Sequence, residues 1–162
     1  MNIYFAGPMF AQADLRYNDY LVEQIRQLNS RYHVYLPQEN ETINDKTAYA
    51  DSQMIALADT ERVLESDLLV ALLDGNTIDP GVASEIGIAY AKQIPIIGLY
   101  TDTRQQGTDN PKKITALRTT AENQFHYLNL YTVGLIKLNG QIATSEKEFL
   151  TMIQAFLTAD ER

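Results

Sequence analysis

Cysteine is absent from the 162-residue chain, and histidine occurs only twice. Without cysteine the protein has no disulfide, no thiolate nucleophile and no Cys-ligated zinc site. The two histidines, His33 and His126, lie far apart in the sequence, and we interpret both as structural. We therefore expect no metal ion and no cross-link, so the core must be stabilised by packing alone.

Positive charge is scarce as well. The chain has 13 Lys and Arg residues against 21 Asp and Glu, which gives a formal net charge of −8. Such an acidic chain lacks the positive field that binding to a phosphate backbone requires. We therefore expect neither nucleic acid nor an anionic membrane as a partner, whereas free nucleosides are not excluded.

Long apolar runs, linkers and repeats are missing too. No apolar window has the length of a membrane span. The apolar stretch MNIYFAGPMF is too short for the hydrophobic region of a secretion signal, and it carries no basic n-region. We expect a cytoplasmic protein. Because no Gly/Ser-rich or Pro-rich stretch divides the chain, we also expect one domain that spans residues 1–162.

Short β-prone apolar runs alternate with longer segments of helical spacing. Residues 68–73 are apolar throughout, which is typical of a parallel strand that is covered on both faces. The alternation therefore predicts an α/β fold, a three-layer αβα sandwich around a parallel sheet. The predicted strands are residues 3–6, 33–36, 68–73, 94–99 and 133–138.

Apolar residues three or four positions apart predict the helices between these strands. A capping-box spacing at residues 145–148 also predicts a C-terminal amphipathic helix with Phe149 and Ile153 on its apolar face. The three connecting helices are marked by Leu15, Leu21, Ile25 and Leu28, by Met54, Leu57, Ala58 and Leu64, and by Val82, Ile86, Ala89 and Tyr90.

In an open parallel sheet a ligand binds beyond the carboxyl ends of the strands, where the strand order reverses. By analogy with other doubly wound sheets, the order 2-1-3-4-5 places this point between the first and third strands. The segments that leave those strands are residues 7–10 and 74–81, and the second segment contains Asp74 and Asp79. We therefore expect acidic side chains to gather at the ligand crevice.

Glu85 differs from the other carboxylates because its helical neighbours offer it no partner. Asp79-Pro80 predicts a helix start with Asp79 as N-cap, which places Glu85 in the second turn. The residues three and four positions away are Gly81, Val82, Ile88 and Ala89, which cannot form a salt bridge. A surface role and a functional role for Glu85 both stay open at this point.

Several other polar residues have ordinary explanations. Asp59 could pair with Arg62 on the next helical turn, and Asp74 precedes a glycine in a turn. Tyr4, within the first strand, needs a hydrogen-bond partner if it is buried, and a carboxylate at the crevice is one candidate.

Neither a Walker pattern nor a G-x-G-x-x-G turn occurs, which disfavours nucleoside triphosphates and dinucleotides. Carboxylates and tyrosines without a recognisable set of metal ligands favour a small, polar, uncharged ligand. Chemistry by such side chains needs no cofactor. Glycosyl transfer fits this description. In retaining enzymes one carboxylate attacks the anomeric carbon and a second acidic group assists the leaving group.

Three segments of the chain resemble the nucleoside 2-deoxyribosyltransferase family. They are residues 3–8, residues 59–67 and residues 79–89. The last segment, DPGVASEIGIA, is the most specific because an Asp lies six residues before a Glu that opens E-x-G-x-A. The similarity continues to residues 129–131. It implies a flavodoxin-like five-stranded parallel sheet in the order 2-1-3-4-5, in agreement with the fold argued above.

The resemblance also implies the catalytic residues. Glu85 would be the nucleophile that forms a covalent deoxyribosyl-enzyme, and Tyr4 would orient it. Asp59 and Asp79 would bind the nucleobase and supply or relay the proton that the departing base needs.

The substrate-binding residues that the resemblance implies lie in three loops. Met9 and Phe10 would form an apolar wall against the base, next to Gly7. Gln38 would match a base-contacting loop. Asn129 would reach into the site of a neighbouring subunit, so the active unit would be a homo-oligomer that acts on deoxyribonucleosides and free nucleobases.

Alternatives to a transferase stay open. One is hydrolysis of the N-glycosidic bond of a deoxynucleoside or its 5′-monophosphate, although only Arg16 lies near the loop that would have to bind the phosphate. A second is a non-catalytic nucleoside-sensing module. A third is a Mg²⁺ site formed by Asp74, Asp79 and Glu85. The first loop lacks the aromatic-rich pattern of some family members, and the preference for purines or pyrimidines is open.

Overall fold

The computed structural model describes residues 1–45, 49–105, 109–122 and 127–159. The strands are β1 (Asn2–Ala6), β2 (His33–Tyr35), β3 (Leu68–Leu72), β4 (Ile96–Leu99) and β5 (Gly140–Ala143). The α-helices are α1 (Gln12–Leu28), α2 (Glu41–Asn44), α3 (Ser52–Leu64), α4 (Pro80–Ala91), α5 (Pro111–Ala116), α6 (Leu130–Leu138) and α7 (Glu146–Ala159), and 3₁₀ turns cover Pro37–Glu39 and Thr103–Gln105.

The strands form one parallel sheet in the order β2-β1-β3-β4-β5. This confirms the predicted α/β class and strand order. The order reverses between β1 and β3, and Tyr4 of β1 lies between Tyr35 of β2 and Leu69 of β3.

Alternate residues of β1 enter different cores, as the two-residue period of a strand requires. Ile3 and Phe5 face the core under α1 and α7, whereas Tyr4 and Ala6 face the core that contains the buried residues of α4 and α6. The sheet therefore has helices on both faces, and the side chain of Tyr4 is directed to the face that carries α4.

The prediction of a strand at residues 133–138 is wrong. These residues belong to α6, and the fifth strand is Gly140–Ala143. The buried residues of α6 are Thr132, Leu135 and Ile136, which share one face of a helix, but a short apolar run does not by its periodicity distinguish a helix from a buried strand. The Asn139-Gly140 pair leads into β5.

The apolar stripe predicted for the second connecting helix does not face the core. Met54, Leu57 and Leu64 of α3 are exposed, Leu57 to 62%, and Val63 is the residue of α3 that is buried. Apolar residues occur on more than one side of this helix, so the sequence alone did not select the packed face. The result is a helix with exposed apolar side chains.

The predicted C-terminal helix is confirmed as α7. Ser145 Oγ accepts a 3.3 Å hydrogen bond from the amide of Glu148, and Phe149 and Ile153 are buried against the sheet. In the part of the chain that the structure describes, no helix combines the length and the apolar character needed to cross a membrane.

Candidate active site

The predicted start of α4 is confirmed and positions two acidic residues. Asp79 Oδ1 accepts hydrogen bonds from the amides of Gly81 (2.8 Å) and Val82 (3.2 Å), and Pro80 is the first helical residue. This cap fixes the helix where the chain leaves β3. Glu85 therefore lies in the second turn of α4, close to the carboxyl ends of β1 and β3.

Glu85 is held by the first strand. The hydroxyl of Tyr4 donates a 2.6 Å hydrogen bond to Glu85 Oε1, and the Tyr4 side chain is completely buried. The partner that the sequence analysis sought for a buried tyrosine is therefore Glu85. Because a tyrosine hydroxyl bonded in this way favours the carboxylate form, Tyr4 stabilises the ionised form of Glu85.

Burial dominates the electrostatics of this pair. It raises the pKa of Glu85 to about 7, the Tyr4 hydrogen bond opposes the rise, and the charges of Asp59 and Asp79 add to it. Burial and the neighbouring Glu85 also raise the pKa of Tyr4, so the phenol stays protonated and remains a donor. Glu85 thus changes its charge near neutral pH, which is typical of functional carboxylates.

Glu85 opens into a cavity of about 360 Å³. The lining includes Asp59 and Asp79 as well, so three carboxylates face one space, with no lysine or arginine among the described residues that line it. Six of the predicted site residues line the cavity together: Gly7, Met9, Phe10, Asp59, Asp79 and Glu85. A larger groove of about 570 Å³ between α7 and strands β4 and β5 contains none of them.

Asp59 faces this cavity and not the arginine proposed as its partner. Arg62 forms an ion pair with Glu65 at 3.0 Å and lies 5.5 Å from the ring centre of Tyr35. The Asp59–Arg62 interpretation is therefore wrong. Burial raises the pKa of Asp59.

Asp74 has a structural position outside the cavity lining. Its two carboxylate oxygens accept hydrogen bonds from the backbone amide (2.7 Å) and the hydroxyl (2.6 Å) of Thr101, which ties the end of β3 to the end of β4. Within the described ranges, no cluster of three or more acidic or histidine side chains is placed to hold a metal ion. His33 is exposed on β2, and His126 lies outside the described residues.

Gln38 and Asn129 do not line the cavity of this chain. Gln38 Nε2 donates to the carbonyl of Leu15 (3.0 Å) and to Asp19 Oδ1 (2.6 Å), so its amide is turned toward α1. Asn129 is exposed at the start of α6, where its Oδ1 accepts hydrogen bonds from the amides of Tyr131 and Thr132.

The segment after β2 and helix α3 form one side of the cavity, and of this side only Gln38 and Asp59 were predicted as site residues. The strand order explains the position of this segment. Because β2 lies beside β1, the segment that follows β2 also borders the crevice. Asn40 donates to the hydroxyl of Tyr35 at 3.0 Å, and Asn44 donates to the carbonyl of Pro37 at 2.8 Å. The missed lining residues are Pro37, Asn40, Ile43, Asn44 and Ile55.

Comparison with known proteins identifies the family. The family model described as nucleoside 2-deoxyribosyltransferase matches residues 3–131. The chain belongs to the nucleoside 2-deoxyribosyltransferase family. This confirms the resemblance, and the match includes every predicted site residue. Among curated proteins, none matches the chain.

Solved structures agree with this fold. A conserved protein from Enterococcus faecalis V583 is 71% identical, with a TM-score of 0.92, over 96% of this chain and 98% of that one. A 2-deoxyribosyltransferase from Leishmania mexicana has a TM-score of 0.61 at 19% identity, over 94% and 97% of the two chains. A CMP N-glycosidase from Clostridium botulinum has a TM-score of 0.51 at 18% identity, over 96% and 99%. At such low identities the last two demonstrate a shared fold alone.

Proposed function

We propose that this member of the nucleoside 2-deoxyribosyltransferase family transfers 2-deoxyribose from one nucleobase to another through a covalent intermediate on Glu85. The observation that carries the proposal is the Glu85 carboxylate itself. It is held by Tyr4 at 2.6 Å and opens into a cavity that it shares with Asp59 and Asp79. This set matches the requirement of a retaining glycosyl transfer for a nucleophile and a separate acid.

In the first step, one oxygen of the ionised Glu85 attacks C1′ of the deoxynucleoside. The C1′–O bond forms while the bond from C1′ to the base nitrogen breaks, and its electron pair leaves with the base. Because Tyr4 holds Oε1, Oε2 is the attacking oxygen. Asp59 supplies the proton that neutralises the departing base, which its raised pKa favours.

In the second step, a nitrogen of the incoming base attacks C1′ and the Glu85 carboxylate leaves. The proton that this nitrogen loses returns to Asp59, so atoms and charges balance over the cycle. Two inversions at C1′ give net retention. Asp79 serves the base through Oδ2, because its Oδ1 is used in the helix cap.

The charge of the cavity favours nucleosides over nucleotides. Three carboxylates line it, and its described lining contains no lysine or arginine that could neutralise a 5′-phosphate. Arg16, the cation near the first loop, is exposed and is not part of the lining. Hydrolysis of a nucleoside monophosphate is therefore disfavoured relative to reaction of an uncharged nucleoside.

Apolar side chains are available to contact the base. Met9, Phe10 and Ile55 line the cavity, and Phe10 is 82% exposed. A flat aromatic base that contacts Phe10 would remove its ring from water, and stacking would add to that gain. We therefore assign the base to the part of the cavity that Phe10 lines and the sugar to the part that Glu85 lines.

We also propose that a second copy of the chain completes the site. Large apolar side chains beside Asn129 are exposed, Leu130 to 82% and Tyr131 to 77%, and Leu57 of α3 adds a further exposed apolar side chain. Exposed apolar surface of this kind is typical of a protein interface. Asn129 Oδ1 is used as the cap of α6, so Nδ2 is the group that would reach the sugar in a neighbouring subunit.

The test is product analysis. The protein is incubated with thymidine and adenine, and the mixture is separated by chromatography; deoxyadenosine and free thymine are the expected products. The Glu85→Gln variant is the control, since it preserves the side-chain shape. Free deoxyribose without deoxyadenosine would instead identify a hydrolase, and binding without any product would identify a sensing module.

A further inference from the structure

Asn18 of α1 is a buried polar residue whose role lies outside the reaction described above. Its side chain is only 1% exposed. Its Nδ2 donates two hydrogen bonds, one to the carbonyl of Pro8 at 2.8 Å and one to Gln38 Oε1 at 3.0 Å. A buried amide is costly unless it is bonded, so these two bonds indicate why asparagine occupies this place.

The two acceptors belong to two different walls of the cavity. The first wall is the segment after β1 and contributes Gly7, Met9 and Phe10; the second wall is the segment after β2 and contributes Pro37, Asn40, Ile43 and Asn44. Pro8 lies inside the first wall and Gln38 inside the second. The Asn18 side chain therefore connects both walls, through Pro8 of the first wall and Gln38 of the second.

Three further contacts make this joint rigid. Gln38 Nε2 bonds the carbonyl of Leu15 and Asp19 Oδ1, so the second wall is fixed to α1 at the same point. On the other side Gly7 lies close against Asn18, because a Cβ at position 7 would come within 2.9 Å of Asn18 Oδ1. A movement of Asn18 therefore displaces both walls.

The oxygen of this amide gives a second indication. Among the described residues, Asn18 Oδ1 is buried without a hydrogen-bond partner. An unpaired buried acceptor reduces stability, so the oxygen gives no reason for an asparagine at this position. Asparagine is explained if its two donors are required to hold Pro8 and Gln38.

We propose that Asn18 is a positioning residue that fixes the distance between the two walls and so determines how tightly the nucleobase is held. It does this without touching the substrate. The consequence for nucleobase binding rests on the proposed deoxyribosyl transfer, whereas the fixing of the walls does not. Because Glu85 and Tyr4 lie on α4 and β1, the chemistry at C1′ is largely independent of this joint.

The experiment compares Asn18→Ala with the wild type. With thymidine held at saturation, we expect the KM for adenine to rise about tenfold, while kcat changes by less than about threefold, since the walls but not the nucleophile are displaced. An unchanged KM, or a fall in kcat alone, overturns the proposal. Ser66→Ala is the matched control, because Ser66 is also buried but bonds the carbonyl of Val63 in the turn before β3.

Amide hydrogen exchange tests the joint independently of catalysis. The amides of Asn40 and Asn44 are bonded within the second wall, to the carbonyls of Pro37 and Asn40. In Asn18→Ala they should exchange about tenfold faster, whereas the amide of Ala83 in α4 should not change. Unchanged exchange at Asn40 and Asn44 overturns the proposal, even if the wild type transfers no deoxyribose and the proposed function itself fails.

A variant of Gln38, the hydrogen-bond partner of Asn18, provides a second test in case Asn18→Ala does not fold. Gln38 is only partly buried, so Gln38→Met removes the same Asn18–Gln38 bond with less damage to the core. The same rise in KM and in exchange is expected, and the effects of the double variant should be smaller than the sum of the two single effects, because the Asn18–Gln38 bond is lost in both single variants. Additive effects would contradict a common joint.

Discussion

The Tyr4 hydroxyl and Glu85 Oε1 lie 2.6 Å apart, although 81 positions separate the two residues in the sequence. Strand β1 supplies the donor and helix α4 the acceptor. Burial makes the carboxylate hard to ionise, and the hydrogen bond partly offsets this effect, so the pKa of Glu85 is raised only to about 7. The contact thereby controls the fraction of Glu85 that is ionised at neutral pH.

Tyr4→Phe should move the pH profile of transfer to higher pH. Ionised Glu85 is the attacking form, so kcat/KM rises with pH through its pKa of about 7. The lost hydrogen bond favoured the charged form, and its removal raises that pKa further. At pH 7 we expect a loss of about tenfold or more, since a hydrogen bond to a charged group contributes ~1.5–3 kcal/mol. Tyr35→Phe is the control: its ring lies beside that of Tyr4, and its profile should keep the wild-type midpoint.

Asp59→Asn should move the same profile in the opposite direction. The negative charge of Asp59 raises the pKa of Glu85, so its removal lets Glu85 ionise at lower pH. The maximal rate should also fall by about 100-fold, because the variant lacks the acid that protonates the departing base. A pH series of kcat/KM measures both effects. A midpoint that shifts upward would contradict the assigned electrostatics.

Glu85→Gln should stabilise the protein at alkaline pH while it abolishes transfer. The folded-state pKa of Glu85 lies above its ordinary value of 4.5, so the folded protein binds the proton more tightly than the unfolded chain. This stabilisation is present below pH 4.5 and is lost as the pH rises through about 7. Glutamine does not ionise and still accepts from Tyr4, so at pH 8 the variant should be more stable by about 3 kcal/mol. Urea unfolding between pH 4 and pH 8 measures the difference, which should disappear at pH 4.

The sequence predicted the parts of the site that local chemistry specifies. Asp79-Pro80 defines a helix start without tertiary information, and the strand exits at Gly7 and Asp74 follow from the α/β pattern. Asn40 and Asn44 were missed, because the short polar segment that contains them has no apolar periodicity and its place depends on the packing of β2 beside β1. The helix α6 was mistaken for a strand for the related reason that a short apolar run is compatible with either structure.

Asp79→Ser and Asp79→Ala separate two roles of one side chain. Alanine removes both the cap of α4 and the carboxylate that faces the base, and the lost cap costs about 1 kcal/mol of stability. Serine can still cap the helix but offers the base no carboxylate. We expect Asp79→Ser to unfold like the wild type and to lose at least about tenfold in kcat/KM. Full activity of Asp79→Ser would show that the residue is only a cap.

Asn129 allows a test of a site shared between subunits. In one chain Asn129 is exposed and does not line the cavity, so a direct role in catalysis requires a neighbouring copy. Asn129→Ser preserves the cap, because serine can accept from the amides of Tyr131 and Thr132, and it removes the Nδ2 donor. If Nδ2 holds the sugar of a neighbour, the variant should fold normally and lose most of its activity.

Mixing two inactive proteins then decides whether the site is shared. Glu85→Gln and Asn129→Ser chains are combined under conditions that let subunits exchange. In a mixed pair, one site takes Glu85 from the Asn129→Ser chain and Asn129 from the Glu85→Gln chain, so random assembly should restore about a quarter of the wild-type sites. Mass spectrometry of the intact oligomer verifies that the chains have mixed. A mixed oligomer without activity, or full activity of Asn129→Ser alone, would refute the shared site.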